Sequence, residues 1–159
     1  MDRIKTYRLL ANVILLGLSC STSEKINNKL SLDVVQASVD AWFDLMPGAS
    51  PGKFHLTGEI KLANSNTIDI NNLNLSAITV YSNTEVIYSF EPYFNPKIKE
   101  DEYSLKSGSR NELIFGSKAG LKIDSRLEAN NVCDVTLNFE FDEGNFMYQV
   151  KYVEIIRTY

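Results

Sequence analysis

The sequence predicts an all-β domain, an antiparallel sandwich of about seven to nine strands. Three observations predict it. The dominant hydrophobic period past residue 30 is two rather than 3.6. Turn signals rich in Gly, Pro, Asn and Ser recur about every 8–12 residues. No stretch carries a helical apolar stripe of useful length, and no internal repeat is present.

The strands follow in order. Leu30, Leu32 and Val34 alternate with polar residues, and the apolar set then shifts to Val35, Ala37, Val39 and Ala41 before Trp42 and Phe43. One extra residue exchanges the two faces of a strand, so this slip of parity predicts a β-bulge. Pro47-Gly48 and Pro51-Gly52 make Met46 to Gly52 a turn region. Phe54, Leu56, Gly58, Ile60 and Leu62 then share one face of a second strand, with His55, Thr57, Glu59 and Lys61 on the other. After the Asn64-Ser65-Asn66 turn, Ile68 and Ile70 begin a short strand and Leu73 to Tyr81 a longer one. Ser82-Asn83-Thr84 turns the chain into Val86 to Phe90.

Proline lacks the amide donor of a central ladder, so regular pairing is expected to stop around Pro92 and Pro96. The charged run Lys97 to Glu102 reads as an exposed loop or edge. Leu105 ends it, and Ser107-Gly108-Ser109 leads into Leu113-Ile114-Phe115. The last third is clearest. Cys133, Val135, Leu137, Phe139 and Phe141 alternate with polar residues, Asp142 to Asn145 turns, and Phe146, Tyr148, Val150 and Tyr152 follow in a strand reaching Ile156. An immunoglobulin-like sandwich is the architecture these spacings favour, with a small barrel as the alternative. The cysteine pair and tyrosine corner of true immunoglobulin domains are not in the right order, so the label is architectural. Gly58 to Ser82 resembles strand-pair patterns of bacterial exported sandwich domains.

The first residues carry an address. Arg3, Lys5 and Arg8 form a positive start, and Leu9 to Leu18 is apolar except for Asn12 and Gly17. That length suits the apolar region of a signal peptide and falls short of the roughly 20 residues that span a bilayer. Leu16-Gly17-Leu18-Ser19-Cys20 follows, then the polar run Ser21 to Lys25. This segment resembles a bacterial lipoprotein signal, whose lipobox places small residues before an acylated cysteine; Gly17 stands where leucine is usual and Leu18 is large for its place. The resemblance implies a signal peptide at residues 1–19 and lipidation at Cys20; the polar composition that follows reads as a flexible tether to residue 29, and the strand pattern assigns residues 30–159 to the β-sandwich domain. Ser21 after the cysteine, in place of aspartate, implies the outer membrane of a two-membrane envelope. An ordinary secretory peptide, an uncleaved anchor, and a Cys20–Cys133 disulfide in a non-lipidated chain are the alternatives.

Composition narrows the function. The chain is 44% hydrophobic and 11% aromatic, which is ordinary for a folded domain. Loss of Arg3, Lys5, Arg8 and Asp2 with the signal peptide takes the net charge from −4 to −6. An acidic domain repels phosphate backbones, so nucleic acid is not an expected partner, and membrane association is assigned to the lipid.

No residues assemble a recognisable catalytic, metal or cofactor motif, and neither cofactor nor metal is expected. His55, the only histidine, has no partner at ligand spacing and sits on a polar strand face. Cys133 shares its parity with Val135 and Leu137, which predicts a buried, unreactive thiol rather than a nucleophile paired with His55. Glu100-Asp101-Glu102, and Asp69 with Asn71 and Asn72, lack the frame of a calcium loop and read as solvated polar groups. Tyr88, Phe90, Tyr93, Phe94 and Tyr103 cluster around the proline-bearing loop. They are the candidate binding surface, for an envelope protein or a glycan, with packing under a long loop as the competing account. The leading expectation is a non-catalytic, membrane-anchored binding or assembly module of the bacterial cell envelope. An inhibitor or accessory subunit of an envelope hydrolase, presenting the proline-braced Met46–Gly52 turn, is the alternative, and an enzyme using Cys133 is the least favoured.

Overall fold

The computed structural model describes residues 30–48, 51–94 and 104–159. The fold is all-β. Nine strands form one sheet: β1 (Asp33–Asp44), β2 (Lys53–Ala63), β3 (Asn74–Ser82), β4 (Glu85–Phe90), β5 (Tyr93–Phe94), β6 (Arg110–Gly116), β7 (Leu121–Lys122), β8 (Val132–Phe141) and β9 (Gly144–Thr158). A four-residue helix, α1 (Ser125–Glu128), lies between β7 and β8. Asp124 caps it by accepting from the Arg126 amide. The strand order is β4-β3-β8-β9-β1-β2-β6-β5, with β7 also on β2.

The sheet is folded over. In the order, β4 and β2 are separated by β3, β8, β9 and β1, which in a flat sheet would hold them about 24 Å apart. Yet the rings of Phe54 on β2 and Tyr88 on β4 stack with centroids 5.2 Å apart. Both layers send side chains into one apolar cluster that includes Phe43, Phe54, Leu56 and Ile60 from one side and Ile78, Val80, Leu137 and Phe139 from the other.

β9 joins the layers. Gly144 to Glu154 pairs antiparallel with β8, while Ile155 to Thr158 pairs with Ala41 to Asp44 of β1 in parallel. The purely antiparallel expectation is corrected here. The last strand must enter the second layer beside the first strand and running the same way, so one parallel ladder results.

Bulges set the parity. In β1 the register slips between Val34 and Gln36, so Val35 is the extra residue and turns outward; Leu32 lies inside before it, Ala41 and Phe43 after it. The sequence placed that slip correctly but put Val35 on the inner face. β3 slips between Leu75 and Ala77, β4 between Val86 and Tyr88, and β9 opposite Asp134. The last one removes Tyr152 from the inward set with Phe146, Tyr148 and Val150. Tyr152 is 79% exposed, and Val153 and Ile155 take the inner positions.

Residues 64–73 form a tied loop, not the expected Ile68–Ile70 strand; Ile70 keeps a single bridge to Leu105. Asn64 is buried and fully engaged. Its amide donates to the carbonyls of Ile68 and Leu105, and its oxygen accepts from the Asn66 backbone and side chain. Those bonds replace a ladder. β5 starts directly after Pro92, where pairing was expected to stop.

Gly58 sits where β2 passes under Phe115 of β6, its cross-strand partner. A Cβ there would come within 2.4 Å of the Phe115 ring and 2.6 Å of the Ser38 carbonyl. The glycine in mid-strand therefore marks a close approach. Gly58→Ala is expected to lower stability by about 1–3 kcal/mol, the usual cost of overpacking, read as a shift in the urea midpoint with an unchanged slope. An unshifted midpoint would show that β2 and β6 have room to separate.

Candidate binding face

The outward face of β4, β3, β8 and β9 differs from the outward face of the other layer. Strand alternation and cross-strand register place its residues in rows, of which three make up the middle, between Val132 with Glu154 at one end and Asn74, Glu140 and Asn145 at the other. Val86, Tyr81, Asp134 and Tyr152 form the first; Ser89, Thr79, Thr136 and Gln149 the second; Ala77, Asn138 and Met147 the third. These three middle rows hold one charged residue, Asp134, with Lys151 beside it at the bulge, while the exposed Glu154 and Glu140 stand at the two ends of the face. The opposite layer turns Asp40, Lys53, Glu59, Lys61 and Glu112 outward, where Lys61 pairs with both Glu59 and Glu112 at 3.3 Å. The middle of the face, with few charges and with Tyr152 and Met147 exposed, resembles interface centres in composition.

The middle of this face is concave. A shallow depression of about 410 Å³ is lined by Tyr81, Thr84, Asp134, Thr136, Met147 and Gln149. Met147 is 70% exposed. The β3–β4 turn forms one rim. Asn83 and Thr84 have φ of 48° and 74° between the paired Ser82 and Glu85, as a two-residue hairpin of the mirror-image type requires. Asparagine tolerates that conformation, whereas β-branched threonine is strained in it. Next to Asp134, Tyr152 has φ of 58°, and its amide donates to Asp134 Oδ1 at 2.9 Å.

The five aromatics singled out in the sequence divide between the layers. Tyr88 is a strut between them. Its ring stacks on Phe54, and its hydroxyl donates to the Lys122 carbonyl at 2.7 Å and accepts from the Asp124 amide at 3.0 Å. Burial pushes its phenol pKa up. Phe90 packs partly against the core. Tyr93 lies on β5, at the other end of the strand order, paired with Gly116 and 47% exposed. Phe94 contributes its backbone to β5. Tyr103 and Cys20 lie outside the described residues. The run is thus continuous in sequence but crosses between the sheet's two ends, and its described members do not make one exposed aromatic surface.

The other candidates are placed as follows. His55 stacks on Trp42, with centroids 5.2 Å apart and planes 9° from parallel. Asp69 accepts from Lys106 Nζ at 2.9 Å and from the Ser107 amide at 2.8 Å, and the Lys106 bond holds its carboxyl below the usual range. Asn72 donates to Asp142. Among the described residues, no group of three or more His, Cys, Asp or Glu is arranged to hold a metal, and no helix is long and apolar enough to cross a membrane. Met46 is exposed and Gly52 packs against Leu45 and Ile123, while residues 49–50 of that turn lie outside the described residues.

Cys133 is 3% exposed, and burial first, then the Asp134 charge, pushes its thiol up to about 12. Sequence reasoning found that burial but missed the face beside it. Its signal was available: Thr136, Asn138, Met147 and Gln149, the outward residues in the middle of the clearest hairpin, are all uncharged. No protein-family model and no curated protein matches the chain.

Two outcomes are expected. Thr84→Gly relieves the strained turn and raises stability by about 1 kcal/mol, measured by thermal melting; an unchanged or lower melting temperature would show that threonine side-chain contacts outweigh the strain. Cys133 resists thiol reagents until the chain unfolds. Because its folded pKa lies above the unfolded value of 9.0, its contribution is fully present below pH 9 and is lost as pH rises from about 9 to about 12. Cys133→Ala should flatten that fall in pH-dependent denaturation. Rapid labelling of the folded protein would reveal an accessible thiolate instead.

Proposed function

We propose that the chain is a lipid-anchored, non-catalytic binding or assembly module of a bacterial cell envelope, and that it docks an envelope protein through the outward face of β4, β3, β8 and β9. The observation that carries the docking reading is the charge-depleted, concave face around Thr136 and Met147. The anchor rests on the lipobox-like run ending at Cys20, whose acyl chains would each contribute about 0.8 kcal/mol per buried methylene. An outer-membrane address rests on Ser21.

An immunoglobulin-like reading of the architecture has support in the strand order. With β7 set aside and the strands lettered in chain order, β4-β3-β8-β9 reads C′-C-F-G and β1-β2-β6-β5 reads A-B-E-D. Those are the two groupings of an immunoglobulin-like sandwich. A binding module also suits what the fold provides: a rigid layer carries the face, with its position fixed by ladders on both β3 and β8.

The test is chemical crosslinking in membranes of a bacterial host expressing the full chain, with wild type beside Met147→Lys. Intact mass of the extracted protein is measured in parallel. The expected result is an acylated chain starting at Cys20 and a discrete crosslinked species that is lost with Met147→Lys. An unacylated, soluble chain would end the anchor reading, and crosslinking that survives the lysine would end the docking assignment.

A further inference from the structure

We infer that the depression beside Asp134 receives a basic side chain, arginine above all, from the docking protein. This rests on the reading of the face as a docking surface and gives the partner its chemistry. Four observations converge on it.

First, Asp134 is the only charged residue lining the depression, and it forms no ion pair among the described residues. Its Oδ1 is aimed by the Tyr152 amide at 2.9 Å, which fixes the carboxylate and leaves its other oxygen free to accept. Second, the remaining polar lining consists of Thr84, Thr136 and Gln149. Each offers an oxygen acceptor, and guanidinium is a planar group made entirely of donors. Third, Tyr81 and Met147 form polarisable walls. A guanidinium is weakly hydrated and stacks on aromatic faces, so it fits such walls better than a compact ammonium does. Fourth, the net charge, −4 for the chain and −6 once residues 1–19 are lost, attracts basic partners and repels acidic ones.

Other occupants fit less well. A phosphate or carboxylate would meet Asp134 with like charge. An apolar side chain seated there would strip water from the carboxylate without pairing it, a cost that a docking surface cannot carry lightly. A neutral glycan would find the acceptors but leave the charge uncompensated. Lys151, exposed beside the bulge, makes no ion pair with Asp134, so the position is not already filled from within.

The experiment is an NMR titration of the intact folded domain with the capped tripeptide Gly-Arg-Gly, beside the same peptide carrying citrulline, which keeps the shape and removes the charge. Saturable amide shifts at Asp134, Thr136 and Gln149 are expected with arginine, and binding about fivefold weaker with citrulline, the worth of one partly exposed ion pair. Asp134→Asn, which keeps the oxygen that accepts from Tyr152, should remove the difference between the two peptides. Gln149→Lys, which leaves Asp134 and its bond to Tyr152 intact, should weaken the arginine peptide alone. Equal binding of both peptides, selectivity that survives both substitutions, or the same shifts produced by a neutral oligosaccharide would overturn the inference. If these fail while Met147→Lys still abolishes crosslinking in membranes, the docking face stands and only the basic anchor falls.

Discussion

The structure depends on one strand serving two layers. β9 is 15 residues long, and its first part completes the β8 ladder while its last four residues close the other layer against β1. A regular strand keeps one face inward throughout. β9 has to present Phe146, Tyr148 and Val150 to the core from one layer and Val153 and Ile155 after passing toward the other. The bulge at Tyr152 resolves the conflict by inserting one residue, which exchanges the faces and increases the local twist. The Asp134 carboxylate takes up the amide that the bulge leaves without a ladder partner. Remove that device and either the hairpin or the parallel ladder loses its register.

Two polar constructions close what the ladders leave open. At one end Asn64 ties the chain after β2 to the segment that precedes β6 through the carbonyls of Ile68 and Leu105. An amide suits this place because it donates twice and accepts twice; a buried carboxylate would face two carbonyls with no proton to give. At the open side, Tyr88 holds β4 to the β7–α1 segment, and Asn130 donates to both the Ser82 hydroxyl and the Arg126 carbonyl. Arg126 in turn pairs with Asp124 and Glu85. These ion pairs are exposed, so they orient the segment more than they stabilise it. The aromatic run of β4 and β5 lies where the chain leaves one sheet end for the other, which explains a packing role for Tyr88 and Phe90.

Local pattern made the strands legible, and long-range order stayed hidden. The alternation in Phe54–Leu62 and Cys133–Phe141 is dictated by one buried face, so those strands could be read directly, and the parity slip near Val34 marks its bulge in the residue pattern itself. The Tyr152 bulge escaped because the apolar alternation runs through it: a tyrosine at that position satisfies the pattern whether it faces in or out. Pairing order carries no short-range signal at all, so the parallel β1–β9 ladder and the fold of the sheet onto itself were not readable. The site was half legible. Cys133 followed from parity, whereas the face depends on which strands become neighbours, and the described aromatics from Tyr88 to Phe94 divide between the two ends of the sheet because adjacency in sequence spans a crossover.

The strained positions bear on the same question. Among the described residues four non-glycine residues have positive φ: Asn72, Asn83, Thr84 and Tyr152. The two asparagines are residues that accept this conformation; the threonine and the tyrosine are not. Both touch the Asp134 depression, Thr84 as part of its wall and Tyr152 through the amide that bonds the carboxylate. A sequence optimised for stability alone would place glycine or asparagine at Thr84. Local rules broken by the fold's own requirements are expected wherever registers change, and Tyr152 is accounted for in that way. Thr84 has no such excuse, since a two-residue hairpin closes equally well with glycine. A strained residue retained at the wall of a charge-depleted depression is a reason, separate from composition, to look for function on this face.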